Sequence, residues 1–280
     1  MMEPISENRF AFDRIPIPNR QEKPRTQGLT MMIDWGLPLG LQKDCIESQG
    51  IYIDEAKIAA GIPRIMPANL LEKKIGAYAS NHIPSFPGGL FTELAIAQGN
   101  YEKFLEEAER IGFSAIEVSD NLLTLSPLEK KQVIRTATDR FNLKVMGEVG
   151  RKEGTLSQDE LIADVENCIE AGAQLVLLEA HELFHGEIRQ DVIEALIKRV
   201  PLSKLMFELP VQVLPDVTRD YKHRVCTWLI KQFGTQVNLA NVEWDEIYFT
   251  EIARRGMAGD TSHPQGAYRL AGISSPGDDV

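Results

Sequence analysis

The stretch Lys144-Val145-Met146-Gly147-Glu148-Val149-Gly150-Arg151-Lys152 is an apolar strand that carries a carboxylate near its end and continues into two cations. Three other short apolar runs share this design and carry Glu117, Glu179 and Glu208 near their carboxyl ends. The four glutamates are 31, 31 and 29 residues apart. A period of roughly 30 residues is the length of one strand plus one helix. The spacing therefore predicts successive strands of one barrel, with the four carboxylates at one rim.

Strand and helix patterns alternate eight times along residues 28–261. Eight such units, with buried apolar strands, predict an α/β fold of the (β/α)8 TIM-barrel type in a single domain. An open doubly wound sheet is the alternative, but no Gly-x-Gly-x-x-Gly follows the first strand. Residues 1–27 contain four prolines and predict an extended N-terminal arm, and residues 262–280 predict a flexible C-terminal tail.

The composition narrows the class of protein. At 280 residues and 43% hydrophobic content, the chain can bury one barrel-sized core. The formal net charge of −11 argues against nucleic acid as a partner. The sequence shows neither a signal peptide nor an apolar run approaching the roughly 20 residues of a membrane span. We therefore expect a cytoplasmic protein without a membrane or nucleic-acid partner. We also expect that it binds a small anionic substrate and forms a homo-oligomer. The three cysteines are far apart, which favours buried free thiols.

In a barrel of this type, catalytic groups lie at the carboxyl ends of the strands and in the loops that follow. This rule selects polar residues at nine positions: Asp34, Lys57, Glu117, Glu148, Lys152, Glu179, Glu208, Asn238 and Asn241. Converging carboxylates repel one another unless a cation neutralises them, and Mg²⁺ suits oxygen ligands. We predict that Mg²⁺ is held by four of them: Glu117, Glu148, Glu179 and Glu208. Structural salt bridges with the nearby lysines and Arg151 are the alternative.

Two groups in the opening stretch are the predicted catalytic pair, Glu148 and Lys152. A lysine near metal and carboxylates can act as a general acid or base when its neighbours tune its pKa. An exposed loop lysine with no such role is the alternative for Lys152.

The segment His181-Glu182-Leu183-Phe184-His185 matches the His-Glu-x-x-His pattern of zinc proteases. That chemistry requires both histidines on one face of a helix. Here the segment directly follows a predicted strand and is interrupted by Gly186, so a zinc hydrolase is the less favoured hypothesis.

The sequence resembles the phosphosulfolactate synthase family from about Gly28 to Thr261. The resemblance is carried by a set of short motifs: Ile33-Asp34-x-Gly36-x-Pro38, Tyr52-Ile53-Asp54 with Lys57, Gly88-Gly89-x-Phe91-x-Glu93, Glu117-x-Ser119, Glu148-Val149-Gly150-x-Lys152, Glu170-Ala171-Gly172-Ala173, Phe207-Glu208, Val237-Asn238-Leu239-Ala240-Asn241 and Arg255-Gly256-x-x-Gly259-Asp260-Thr261.

The resemblance implies a Mg²⁺-dependent addition of sulfite to phosphoenolpyruvate, a Michael-type reaction. It implies that Lys152 protonates the carbon next to the attacked one and that Lys57 helps to hold an anionic group. Asp34, His181, Asn238 and Asn241 complete the expected substrate-binding set.

The chain departs from the family pattern at several loops. Ile58-Ala59-Ala60-Gly61-Ile62 replaces Phe-Gly-Trp-Gly-Thr, and Glu182-Leu183-Phe184 replaces Glu-Ser-Gly. His181 stands where the family has arginine, and Met257-Ala258 stands where it has Leu-Arg. Two arginines that could bind phosphate or sulfonate are missing. Two hypotheses follow: a lyase acting on phosphoenolpyruvate or a less charged unsaturated acid, and a non-catalytic barrel with a stress-related or regulatory role, like the plant heat-stress-associated relatives.

Overall fold

The computed structural model describes residues 10–258. Eight strands alternate with helices along this range. The strands are β1 (Thr30–Asp34), β2 (Glu55–Ile58), β3 (Ser85–Pro87), β4 (Ala115–Val118), β5 (Lys144–Val149), β6 (Leu175–Leu178), β7 (Leu205–Glu208) and β8 (Leu239–Val242). The helices are α1 (Leu39–Gln49), α2 (Ile62–Ile65), α3 (Ala68–Ala79), α4 (Gly89–Ala97), α5 (Tyr101–Ile111), α6 (Pro127–Arg140), α7 (Gln158–Ala171), α8 (Ala180–Phe184), α9 (Gln190–Arg199), α10 (Arg219–Phe233) and α11 (Ile247–Arg254).

The strands form one parallel sheet in the order β3-β2-β1-β8-β7-β6-β5-β4. The sheet is nearly closed, because Ser114 at the start of β4 donates its backbone N–H to the carbonyl oxygen of Ser85 on β3 at 3.1 Å. Helices surround it. This arrangement confirms the predicted (β/α)8 barrel.

Side chains alternate between two cores along each strand. Those that point inward form an apolar plug that includes Met31, Phe86, Met146, Leu177 and Met206. Those that point outward pack beneath the helices in a second, larger core. The plug fills most of the lower barrel, and the cluster of charged side chains lies above it, at the carboxyl ends of the strands.

Two of the helices, α6 and α7, begin directly after a serine that caps them. Ser126 and Ser157 each form a capping box with the glutamate three residues later, Glu129 and Glu160. In each box the serine hydroxyl and the glutamate carboxylate accept backbone N–H groups that have no partner inside the helix.

The described part of the predicted N-terminal arm, residues 10–27, has no helix or strand and is held against the amino ends of the strands. Arg20 donates to the carbonyl oxygens of Gly28 and Thr235, and Arg25 pairs with Asp54 at 2.8 Å. These cations satisfy backbone carbonyls at the bottom of the barrel. The predicted C-terminal tail, residues 262–280, lies outside the described residues.

Two smaller expectations can be compared with the described residues. All three cysteines, Cys45, Cys168 and Cys226, are buried thiols, as predicted. Within residues 10–258, none of the helices is both long and apolar enough to cross a membrane.

Glu55 is a carboxylate inside the lower barrel. It lies beside Met31 in the register of β1 and β2, and its side-chain atom Oε2 is buried without a hydrogen-bond partner. Burial, and then the neighbouring charge of Asp54, raises the pKa of Glu55 from 4.5 to about 7. Because the folded protein holds this proton more tightly than the unfolded chain, ionisation of Glu55 destabilises the fold as pH rises.

We predict that Glu55→Gln gains stability relative to wild type as pH increases. The folded pKa exceeds the unfolded one, so wild type loses free energy of unfolding between about pH 4.5 and about pH 7. The difference between variant and wild type should change by about 3 kcal/mol in favour of the variant across that window. Urea unfolding at several pH values measures it. The exposed Glu187→Gln is the matched control, and a pH-independent difference for Glu55→Gln would refute the prediction.

Candidate active site

The four predicted glutamates line one cavity at the carboxyl ends of the strands. Carboxylate oxygens of Glu117, Glu148 and Glu208 lie within 4.8 Å of one another, and all three residues are buried. Glu179 lines the same cavity beside them. The cavity has a volume of about 190 Å³, which is below the roughly 300–1,000 Å³ of sites for drug-sized ligands and indicates a small ligand.

Lys57 on β2 provides the central positive charge of the cavity floor. Its ammonium nitrogen lies 2.6 Å from Glu208 Oε1 and 3.0 Å from Glu117 Oε2. Burial by itself lowers the pKa of Lys57, but the charges of Glu117, Glu208 and Glu148 outweigh burial and raise it. Lys57 is therefore a permanent cation that links strands on opposite sides of the barrel.

Lys152 stands higher in the cavity, in the loop after β5. Its ammonium nitrogen is 3.3 Å from Glu179 Oε2, and 39% of its side chain is exposed. Burial alone lowers the pKa of Lys152, and the charges of Glu148, Glu179 and Glu208 raise it above its ordinary value. Lys152 is thus a charged ammonium group that reaches both the carboxylates and the solvent.

The carboxylates differ in how firmly they hold protons. Burial is the main cause of the raised pKa of both Glu117 and Glu179. Glu148 is equally buried, yet Lys152, Lys57 and hydrogen bonds from neighbouring groups outweigh burial and lower its pKa. Without a further cation the cavity therefore retains protons on some of its carboxyl groups.

Backbone and side-chain donors fix the direction of each carboxylate. The N–H of Gly89, at the start of α4, donates to Glu117 Oε1 at 2.7 Å. The side-chain amide of Asn121 donates to Glu148 Oε1, and the N–H of His181 donates to Glu179 Oε1 at 3.1 Å. Each glutamate therefore keeps one oxygen occupied by a donor and turns the other toward its neighbours.

The loop that carries Asn121 is organised by Glu93 on α4. The Glu93 carboxylate is fully buried and accepts the hydroxyl of Ser119 and the backbone N–H groups of Asn121, Leu122 and Leu123. We did not predict Glu93 or Asn121 as site residues. The available signal was the motif Gly88-Gly89-x-Phe91-x-Glu93, which places a carboxylate one helical turn after the glycines.

Two glycines allow the close approaches on which the site depends. A Cβ atom on Gly89 would lie 2.3 Å from the hydroxyl oxygen of Ser119. Gly150 has φ +117°, and a Cβ there would lie 2.9 Å from the Cβ of Glu179 and 2.8 Å from that of Glu182. Only glycine fits both the space and the backbone conformation at position 150.

Of the predicted substrate-binding residues, Lys57, His181 and Asn241 line the cavity. Asn241 has φ +58°, and its buried side-chain oxygen Oδ1 has no hydrogen-bond partner. An unsatisfied buried amide oxygen at a cavity wall is available to a ligand.

Asp34 and Asn238 do not lie at this cavity, and their predicted roles have no geometric support. Asp34 is fully buried and accepts four hydrogen bonds, from the N–H groups of Gly36 and Leu37, Lys74 Nζ and the Tyr78 hydroxyl. It fastens α3 to β1.

Asn238 precedes β8 and therefore lies at the amino ends of the strands, opposite the cavity. Its side chain accepts the N–H of Leu29 at 2.9 Å and donates to the carbonyl oxygen of Leu205 at 2.8 Å. It joins β1, β7 and β8 at the bottom of the barrel, away from the cavity.

The His-Glu-x-x-His segment does not form the helix that zinc proteases need. Helix α8 ends at Phe184, and His185 has extended geometry with ψ 124°. Glu182 turns away, because its carboxylate accepts the N–H groups of Arg151 and Leu156 and pairs with Arg189. The two histidine rings stack at 4.1 Å at the cavity edge. The geometry gives no support to the zinc hypothesis.

The donor set of the floor fits a divalent cation with oxygen ligands. Four carboxylates face two lysines, so two negative charges remain uncompensated when all are ionised. Hard divalent ions such as Mg²⁺ prefer carboxylate and amide oxygens. Glu117, Glu148 and Glu208, with the unpartnered Oδ1 of Asn241 on the same wall, are the residues that could hold one.

A buried acidic cavity at the carboxyl ends of eight parallel strands is the arrangement of a (β/α)8-barrel enzyme. Comparisons with known proteins narrow this class. The model of the (2R)-phospho-3-sulfolactate synthase (ComA) family matches residues 18–260. Phosphosulfolactate synthase of Methanocaldococcus jannaschii is 33% identical over 247 residues, which cover 84% of this chain and 94% of that relative. The chain therefore belongs to the phosphosulfolactate synthase family, and the resemblance seen in the sequence is confirmed.

Two further comparisons bear on function and fold. Protein HEAT-STRESS-ASSOCIATED 32 of Arabidopsis thaliana is 26% identical over 251 residues, covering 79% of this chain and 84% of the plant protein. Among solved structures, dihydrodipicolinate synthase from Agrobacterium tumefaciens has a TM-score of 0.54 at 14% identity and covers 88% of this chain and 80% of that one. The structural likeness concerns the fold alone.

We predict that Lys57→Met destabilises the protein by about 3–5 kcal/mol, because it leaves buried carboxylates without their cation. Urea unfolding in a metal-free buffer measures this. In the double variant Lys57→Met/Glu208→Gln one of the unpaired charges is also removed, so part of the stability should return. Equal stabilities of wild type and Lys57→Met would show that the Lys57 ion pairs do not hold the floor together.

Proposed function

We propose that this protein is a Mg²⁺-dependent lyase that adds sulfite to the carbon–carbon double bond of phosphoenolpyruvate or a related unsaturated acid. The observation that carries the proposal is the buried group of Glu117, Glu148 and Glu208 around Lys57, with Lys152 above it. Membership of the phosphosulfolactate synthase family supports the same reaction class.

The residues of the floor would bind the substrate carboxylate. Glu117, Glu148 and Glu208 would hold Mg²⁺, with Glu179 contributing to the same acidic rim. The bound ion supplies Lewis-acid stabilisation of negative charge on the substrate carboxylate oxygens. Lys57 keeps two of these glutamates in place, and the amide of Asn241 is positioned to orient a polar group of the substrate.

In the addition step, the sulfur lone pair of sulfite forms a bond to the terminal alkene carbon. The π electron pair moves to the adjacent carbon, where the carboxylate stabilises it as an enolate-like anion. The Lys152 ammonium delivers its proton to that carbon. Because the side chain of Lys152 is 39% exposed, solvent can restore the proton after each turnover.

A non-catalytic role is the second candidate, and the match to the plant heat-stress-associated protein favours it. The retained floor of carboxylates and lysines argues for the lyase, because a barrel without ligands would gain nothing from burying so many charges. A cytoplasmic location and a homo-oligomeric state stay predictions.

We predict that Mg²⁺ binding releases protons and strengthens as pH rises between about pH 6 and about pH 8. Burial raises the pKa of Glu117 and Glu179, so part of their population is protonated near neutral pH and must lose protons to bind the ion. Isothermal titration calorimetry in two buffers of different ionisation enthalpy counts the protons. Glu117→Gln should reduce the release, and heats independent of buffer would contradict this account of the floor.

We predict that Lys152→Met lowers the rate of sulfite addition by about 10²–10⁴-fold while Mg²⁺ still binds. Lys152→Arg should not restore the rate, because a guanidinium group does not give up its proton at neutral pH. Sulfite consumption with phosphoenolpyruvate and a panel of unsaturated acids measures the rate. The exposed neighbour variant Arg151→Met is the matched control. If wild type consumes no sulfite with any acceptor and binds no Mg²⁺, the non-catalytic role is favoured.

A further inference from the structure

The cavity changes character between its floor and its mouth. The floor is made of the buried carboxylates and Lys57. The mouth is formed largely by the segment after β7, residues 209–218, which we call the β7–α10 loop. Six apolar residues of this loop line the cavity: Leu209, Pro210, Val211, Val213, Leu214 and Val217. Charged side chains of the β7–α10 loop do not take part in this lining.

Several of these mouth residues are more exposed than large apolar side chains usually are. Val213 is 58% exposed and Leu214 is 47% exposed, and Trp35, across the same opening, is 37% exposed. Contiguous exposed apolar surface around one cavity marks a binding surface more often than a random feature. Its removal from water by an apolar ligand group is favourable by roughly 25 cal/mol per Å².

Two polar side chains near the mouth offer little to a charged ligand, because one already has a hydrogen-bond partner and the other favours its neutral form. The hydroxyl of Tyr221, another lining residue, donates to the carbonyl oxygen of Phe184 at 2.5 Å, so the ring is its contribution to the cavity. Burial, and then the neighbouring His185, lowers the pKa of His181, which favours the neutral ring.

The positive charge in the cavity is too small for a highly charged ligand. Among the described residues that line it, the cations are Lys57 and Lys152, and arginine is not represented. Lys57 is shared by Glu117 and Glu208, and Lys152 is paired with Glu179. A divalent ion on the floor would only balance the remaining negative charge. Each further unpaired anionic charge on a ligand would then be desolvated without a partner, which is costly.

We propose that the β7–α10 loop is a binding subsite for a short aliphatic chain, and that the preferred acceptor is a trans-2-enoic acid with one carboxylate. This deepens the proposed function and rests on it. In a trans-2-enoate the carboxylate and the alkyl chain point in opposite directions, so the carboxylate meets the floor while the chain meets Val213 and Leu214.

The chemical step is the same type of sulfite addition as in the proposed function. The sulfur lone pair forms the C–S bond at the β-carbon, and the π pair moves to the α-carbon. The proton from Lys152 ends on the α-carbon, which gives a 3-sulfoalkanoate. No oxidant or reductant is needed, and the alkyl chain remains intact.

The test compares three acceptors of different tail chemistry in the presence of Mg²⁺: trans-2-hexenoate, crotonate and phosphoenolpyruvate. Binding is followed by calorimetry and addition by sulfite consumption. Two extra methylene groups should make trans-2-hexenoate bind about tenfold more tightly than crotonate. Phosphoenolpyruvate should bind more weakly than trans-2-hexenoate.

Leu214→Lys places a cation at the mouth without disturbing the core, because Leu214 is largely exposed. We expect this variant to lose about tenfold in affinity for trans-2-hexenoate and to gain affinity for phosphoenolpyruvate. Leu128→Lys, a leucine on α6 that is 74% exposed and lies away from the cavity, is the control and should behave like wild type.

The outcomes separate the subsite from the reaction. If phosphoenolpyruvate binds more tightly than trans-2-hexenoate and is sulfonated, the subsite is wrong and the lyase stands. If trans-2-hexenoate binds in the expected order but sulfite is not consumed with any acceptor, the lyase is wrong and the subsite stands. Equal affinity for crotonate and trans-2-hexenoate, or binding of none of them, overturns the subsite.

Discussion

The site depends on the contact of one ammonium group with two carboxylates, Lys57 Nζ with Glu208 Oε1 at 2.6 Å and with Glu117 Oε2 at 3.0 Å. Several carboxylates inside a low-dielectric barrel repel one another and are costly to bury. Lys57 offsets part of that cost and joins β2 to β4 and β7. The remaining negative charge makes the floor suited to a divalent cation. The same charged groups therefore hold the floor together and support the proposed chemistry.

Much of this could be predicted from the sequence. The 30-residue spacing of Glu117, Glu148, Glu179 and Glu208 correctly indicated that the four side chains line one cavity, because a repeat of one strand plus one helix returns the chain to the same rim of the barrel. The end of the barrel at which a strand residue lies was harder to predict. Asn238 lies only three residues before Asn241, yet it precedes β8 and faces the opposite end of the barrel.

Other features could not be predicted because they arise from contacts distant in sequence. Asp34 ends β1, the position typical of catalytic residues in a barrel, but Lys74 and Tyr78 from α3 donate to its carboxylate. Glu93 holds Asn121 across 28 residues of chain, Asn121 holds Glu148 across 27, and no periodic pattern marks such a network. Helix α8 is a single turn, too short to place both histidines on one helical face. Glu182 in this turn is held by Arg189 and by the backbone N–H of Arg151, so it faces away from the cavity.

In the proposed reaction the floor of the cavity would carry out the chemistry and the mouth would select the acceptor. The central claim is that Glu117, Glu148 and Glu208 hold a divalent ion. Anomalous diffraction from crystals soaked in Mn²⁺, a substitute for Mg²⁺, tests it directly. We predict a single strong peak among these three carboxylates. A peak between His181 and His185 instead, or no peak at the floor under saturating Mn²⁺, would contradict the account.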